Sequence, residues 1–232
     1  MHYLPIEPLL FGLFAIALVA LAILIPLGAL RYAYERIGLS PGAALLVLVA
    51  TLLGSYVNVP LFQFPERHVE AARAVRYFGM RFMTPQVVDW PGTIVAANVG
   101  GAIIPTLLSV YLLMRGRFWA EALIATAIVA LVCHALAMPT PGVGIAMPIF
   151  APPLITAVVA MTVSWRDAAP LAYVAGCMGT LIGADISNLG VIPSLGASIA
   201  SIGGAGTFDA VFLTGILAVL LAGIAGPPTR RA

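Results

Sequence analysis

WAEALIATAIVALVCHALAM, from Trp119 to Met138, decides the fold class. Apart from Glu121 in its first turn and His134 near its end, the run is built of apolar and small residues. A helix that crosses a bilayer needs about 20 mostly apolar residues. This run has that length and no cation to interrupt it.

The rest of the chain repeats the theme. Of 232 residues, 62% are hydrophobic and 9% are charged. A water-soluble domain carries about 25% charged residues. So little polar side chain cannot cover a surface facing water, and the expected solvent is the lipid bilayer. The predicted class is an all-α polytopic bundle of about seven transmembrane helices in one domain, residues 1–232. The candidate spans are 8–30, 42–63, 92–114, 119–138, 145–163, 168–189 and 206–226. The amino terminus does not read as a cleaved signal, because His2 and Glu7 stand where a basic start belongs and the first apolar run is too long.

Between the second and third spans lies a polar segment. From Pro65 to Phe82, Val69, Ala72, Val75, Phe78 and Phe82 recur at roughly helical spacing among Arg67, Arg73, Arg76 and Arg81. That pattern predicts an amphipathic helix over 66–82 lying on the membrane surface.

Arginine in short loops sets orientation. Arg31, Arg36, Arg115, Arg117, Arg166, Arg230 and Arg231 follow odd-numbered spans. They predict an inner-membrane protein with the amino terminus outside and the carboxyl terminus cytoplasmic. All basic residues are Arg, net charge is +2, and the arginines are dispersed, which excludes a nucleic-acid footprint. Cys133 and Cys177 sit in apolar runs without metal-ligand spacing, so no metal and no cofactor is expected.

Three apolar stretches are broken by Pro and Gly: Asn98–Pro105, Pro139–Pro153 and Gly190–Gly206. Open backbone at membrane depth requires protein or a wet cavity to satisfy it, so such breaks point to a site. Pro139–Gly144 reads instead as a turn outside the membrane. GTIVAAN (Gly92–Asn98) resembles GTLIGAD (Gly179–Asp185), which reads as chance similarity between two Ala/Gly-rich strings rather than an inverted repeat.

Ionisable residues within apolar spans are functional candidates. Glu121 reads as a first-turn acid beside Arg115 and Arg117. Asp185 closes the sixth span and Asp209 opens the seventh, so a hairpin would bring them to similar depth. Two carboxylates held close in low dielectric share a proton. Such a pair can activate water for peptide hydrolysis, bind a proton or cation in a transporter, or simply cap helix ends. Gly183, Gly204 and Gly206 allow close approach of a helix or an extended substrate strand. Asn98, Ser187, Asn188 and His134 are the other residues expected around the same chamber, with Tyr173 and Thr180 as further candidates. The leading expectation is a catalytic Asp185/Asp209 dyad acting on a membrane peptide. The alternatives are proton-coupled transport of a small solute or ion, and a non-catalytic scaffold subunit.

NVGGAIIP (Asn98–Pro105), GTLIGADISNLG (Gly179–Gly190) and IGGAGTFDAVFLTGILAVLLA (Ile202–Ala222) together resemble a family of uncharacterised bacterial and archaeal polytopic membrane proteins, a domain of unknown function. That resemblance implies a membrane fold and draws attention to Asn98, Asp185 and Asp209. More loosely, the chain is similar to the presenilin-type intramembrane aspartyl proteases, which place one Asp on the sixth helix and one after a Gly-x-Gly on the seventh. Here two extra residues separate Gly206 from Asp209, and Ala184-Asp185 stands where that family has Tyr-Asp. The likeness implies that Asp185 and Asp209 are catalytic.

Overall fold

The computed structural model describes residues 27–65, 67–77, 80–90, 92–140, 144–204 and 209–225. Most of the expected first span, 8–30, lies outside the described residues. The described part is helix α1, Leu27–Arg36. After a four-residue break the chain turns through 119° into α2, Pro41–Gly54. Ser40 starts α2 by accepting the Ala43 N–H, and Pro41 fits the first turn because its missing N–H is not needed there.

The centre of the molecule is α6, Ala168–Thr180, which continues through a π-helical turn, Leu181–Asp185, and a 3-10 turn, Ile186–Asn188. It packs against α3 (Ile104–Gly116), α4 (Trp119–Leu136), α5 (Ala151–Val163) and α7 (Ala210–Ala225). Small residues let these backbones approach. A Cβ on Gly176 would lie 3.1 Å from Gly215 Cα in α7, and one on Gly183 only 2.2 Å from the Ala130 carbonyl oxygen in α4. Large apolar side chains instead face outward: Leu123, Ile124, Ile128 and Leu131 of α4 and Leu107 and Met114 of α3 are exposed. An apolar exterior over a small-residue interior suits hydrocarbon around the bundle.

Among the described residues, three helices are long and apolar enough to cross a membrane: Val99–Gly116, Trp119–Leu136 and Ala168–Asn188. Counting the bent α1–α2 pair as one makes four. The expected spans 145–163 and 206–226 correspond to shorter apolar helices, and the first expected span lies mostly outside the described residues. At 1.5 Å per residue, 13-residue α5 rises about 20 Å, short of a hydrocarbon core of about 30 Å. Pro148, Pro152 and Pro153 delay its start from the expected 145 to Ala151. The expected span 206–226 is helical over Ala210–Ala225, and 205–208 lie outside the described residues.

The all-α expectation is corrected. The candidate span 42–63 is helical only to Gly54, then extended as β1, Asn58–Gln63. The candidate 92–114 opens as β4, Ile94–Asn98, and enters α3 through a π-helical turn, Val99–Ile103. With β7, Ile199–Ile202, these strands form a sheet of order β1-β4-β7, antiparallel between β1 and β4 and parallel between β4 and β7. The reason is the one that flagged the breaks: backbone leaving a helix near lipid must pair with other backbone. Pairing Ile94–Asn98 as strand while Gly179–Asp185 is helical also removes any structural basis for a repeat. A second break is closed by a short ribbon of β5, Met138–Thr140, and β6, Gly144–Ala146.

The surface helix expected over 66–82 is overturned. Residues 67–90 form a two-stranded antiparallel ribbon, β2 (Arg67–Tyr77) and β3 (Met80–Trp90), in unbroken register from Arg67 opposite Trp90 to Tyr77 opposite Met80. Val69, Val75 and Tyr77 in β2 and Phe82, Thr84, Val87, Val88 and Trp90 in β3 favour pleated backbone. Pro85, which would break a helix, is tolerated in a ribbon whose strands both have an outer edge.

Close packing of α4 on α6 gives a direct test. Gly183→Ala should lower stability by about 1–3 kcal/mol through overpacking against Ala130. Gly42→Ala, where an added Cβ meets nothing within 4 Å, should be neutral or slightly stabilising. Denaturant unfolding of the two detergent-solubilised variants measures both.

Candidate functional site

Asp185 is the last residue of the π-helical turn that prolongs α6. A π turn adds a residue to the helical repeat and re-aims the side chains beyond it. Its loosened carbonyls are held by side chains from the next turn. Asn188 Nδ2 donates to the Ala184 and Gly183 carbonyls at 2.8 and 3.1 Å, and Ser187 Oγ donates to the Ile182 carbonyl at 2.7 Å. Asp185 itself reaches across the fold, where Oδ2 accepts the Gly203 N–H at 2.7 Å.

That donor belongs to a glycine turn after β7. Gly203 and Gly204 both hold positive φ, +80° and +75°, a conformation that costs other residues a steric penalty. Gly203 also abuts Gly101, whose Cβ, if present, would overlap the Gly203 carbonyl. Beyond the turn, Asp209 is the N-cap of α7. Its carbonyl accepts the Leu213 N–H at 2.8 Å and its Oδ2 accepts the Val211 N–H at 3.2 Å. A Cβ on Gly204 would fall 2.1 Å from the Asp209 carboxyl carbon. Only glycine at 204 leaves room for that carboxyl.

Asp185 and Asp209 line one half-open cavity of about 270 Å³. Its other walls are Gly144 and Ile145 of β6, Met147, Ala184, Ile192, Leu195, Ala197, all of β7, Gly204 and Ala210. The chamber is thus mainly apolar, with two acids on its wall and the edge strand β7 alongside. Among the described residues no three His, Cys, Asp or Glu side chains gather as metal ligands.

The other expected residues stand elsewhere. Asn98, Gly183, Ser187, Asn188 and His134 do not line the cavity. Asn98 is fully buried and pins three elements: Nδ2 donates to the Ser55 carbonyl at 2.7 Å and to Asn58 Oδ1 at 3.1 Å, and Oδ1 accepts the Gly101 N–H at 2.8 Å. His134 is exposed at the end of α4, 3.4 Å from Asn188. Tyr173 packs beside Tyr34, and Thr180 meets Cys133 at 3.6 Å, both in the buried core. Glu121 is in the first turn of α4, as its sequence position indicates. Gly206 lies outside the described residues. Sequence reasoning missed Asn58 and Ser201. Ser201 Oγ lies 2.6 Å from both Asn58 Oδ1 and the Gly204 carbonyl, and can donate to one of them at a time. The available signal was a polar Asn inside an otherwise apolar candidate span.

Two substitutions separate scaffold from chamber. Asn98→Ala strands buried partners at Ser55 and Gly101 and should cost about 2–4 kcal/mol, read by denaturant unfolding. Gly204→Ala should displace the Asp209 side chain. A crystal or electron-microscopy structure of that variant with Asp209 unmoved would contradict the tight contact.

No curated protein and no solved structure matches the chain. Residues 52–221, from the end of α2 into α7 and including both acids and every described wall of the cavity, match one family. The chain belongs to that family, described as protein of unknown function (DUF1614).

Proposed function

We propose that the protein is a polytopic membrane hydrolase of the aspartyl type, which cuts peptides held in extended form in the cavity at the end of α6. The observation that carries this reading is the placement of Asp185 and Asp209 on the wall of one cavity beside the edge strand β7. A sheet edge offers unpaired N–H and C=O groups to an extended peptide, and the acids stand next to that edge. One proton shared by the pair supplies both roles. The ionised carboxyl takes a proton from water as its oxygen bonds to the peptide carbonyl carbon. The protonated carboxyl gives its proton to the carbonyl oxygen. As the C–N bond breaks, the amine leaves with a proton returned through the pair.

Packing beneath the cavity supports hydrolysis over transport. Gly176 and Gly215 hold α6 and α7 in close contact, and Tyr173, Cys177 and Phe212 are buried below. The basic loops support the orientation read from sequence, with the amino terminus outside and the carboxyl terminus cytoplasmic. Arg115 donates to the Gly38 carbonyl and Arg36 to the Gly223 carbonyl, so the carboxyl ends of α1, α3 and α7 share one face. The cavity lies at the other ends of α6 and α7, at the outer face. The capping bond of Asp209 favours a second reading, in which the acid is purely structural.

The test uses full-length protein in lipid nanodiscs with a panel of single-span membrane peptides, and products are identified by mass spectrometry. Asp185→Asn and Asp209→Asn should each lower cleavage by about 100-fold or more. Asn caps a helix as well as Asp, so Asp209→Asn should keep its stability and isolate chemistry from capping. Cleavage surviving in both variants overturns the dyad. Solute uptake driven by a pH gradient and lost in the same variants would favour transport instead.

A further inference from the structure

The ribbon of β2 and β3 has two unlike faces, and the register assigns every residue to one of them. Successive strand residues alternate between faces, and residues opposite one another across the pair share a face. One face carries Val69, Val75, Tyr77, Phe82, Val88 and Trp90, together with Arg67 and Arg73. The other carries His68, Glu70, Arg76, Arg81 and Asp89, with Ala72, Ala74, Met83, Pro85 and Val87 between them. Every aromatic residue of the two strands falls on the first face and both acids fall on the second. Helical spacing in the sequence concealed this division, because only the strand pairing sorts the residues by twos.

We propose that this ribbon is a membrane-interface anchor that lays its aromatic face on an anionic phospholipid surface. Three observations select lipid as the occupant. First, the ribbon is rooted at the membrane-crossing part of the fold: β3 is separated by three residues from β4, which runs directly into the span Val99–Gly116. Second, the sheet at that root is itself apolar and exposed, with Leu61, Phe62 and Ile94 at its surface. The ribbon thus leaves the fold beside an exposed apolar surface. Third, charge fits headgroups. The two strands carry four arginines and two acids, and Arg67 and Arg73 share the aromatic face while both acids stand on the other. The face laid on the bilayer therefore carries two cations and no acid, which anionic headgroups complement. Tyr and Trp on an apolar face, flanked by Arg, are the residues that settle at headgroup depth. Eleven residues at about 3.3 Å each give each strand a reach of about 36 Å, enough to lie across several lipids. This anchoring is independent of any hydrolytic activity.

The test is a label scan of the full chain in nanodiscs. Single cysteines at positions 80 to 90, Pro85 excepted, carry a nitroxide. The native cysteines are buried and are left in place, with unsubstituted protein correcting for background. In discs containing phosphatidylglycerol, positions 80, 82, 88 and 90 should collide with membrane-soluble oxygen and be shielded from a water-soluble nickel chelate. Positions 81, 83, 87 and 89 should show the reverse. Replacing phosphatidylglycerol with phosphatidylcholine, or introducing Arg67→Glu with Arg73→Glu, should move the first set toward water. Equal water access on both faces overturns the proposal. So does shielding of the first set from both reagents, which would indicate a protein partner. An identical depth in neutral and anionic discs overturns the headgroup recognition.

Discussion

An amide that leaves a helix inside an apolar protein has no water to bond, and the whole site end of this molecule answers to that constraint. Three apolar segments lose their helical pattern at Pro and Gly. The freed backbone is paired within and between the breaks: β5 pairs with β6, β1 and β7 flank β4, Asn98 ties the end of α2 to the turn into α3, and Asn188 holds the carbonyls of the π turn. Asp185 takes part in the same network of hydrogen bonds by accepting the Gly203 amide. The chamber exists because these closures leave a gap between β6, β7 and the ends of α6 and α7.

Helix identity was readable where helical length and apolar composition agreed. Trp119–Leu136 and Ala168–Asn188 match their expected spans to within about two residues, well inside ordinary boundary scatter. Strands were not readable, because a short apolar run fits a buried strand as well as a helix. The ambiguity is sharpest at Ile94, Val95, Ala96 and Ala97, whose apolar side chains serve either state. The ribbon was misjudged for a related reason. Val69, Ala72 and Val75 fit a helical stripe, while Val69, Val75 and Tyr77 fit one face of a strand, and only the partner strand decides between them.

Of the site, the position of both acids at the ends of consecutive helices was legible, as was the need for small residues nearby. The roles of the polar neighbours were not. Asn98 looked like a chamber residue because it is polar and set among glycines. Its amide is instead consumed by Ser55, Asn58 and Gly101. The bond from Gly203 to Asp185 joins residues 18 apart through a reversal of the chain, and no local spacing announces it.

The parallel pairing of β4 with β7 carries a consequence for biosynthesis. It joins Ile94 to Ile199 and Ala97 to Ile202, with α3 through α6 threaded between them. A nascent chain can insert and pack those helices well before the last strand is made. The third strand, the glycine turn and the amide that meets Asp185 all emerge afterwards. Throughout synthesis, then, β4 waits with one open edge and Asp185 without its distant donor, and the chamber is sealed only as the final helix follows.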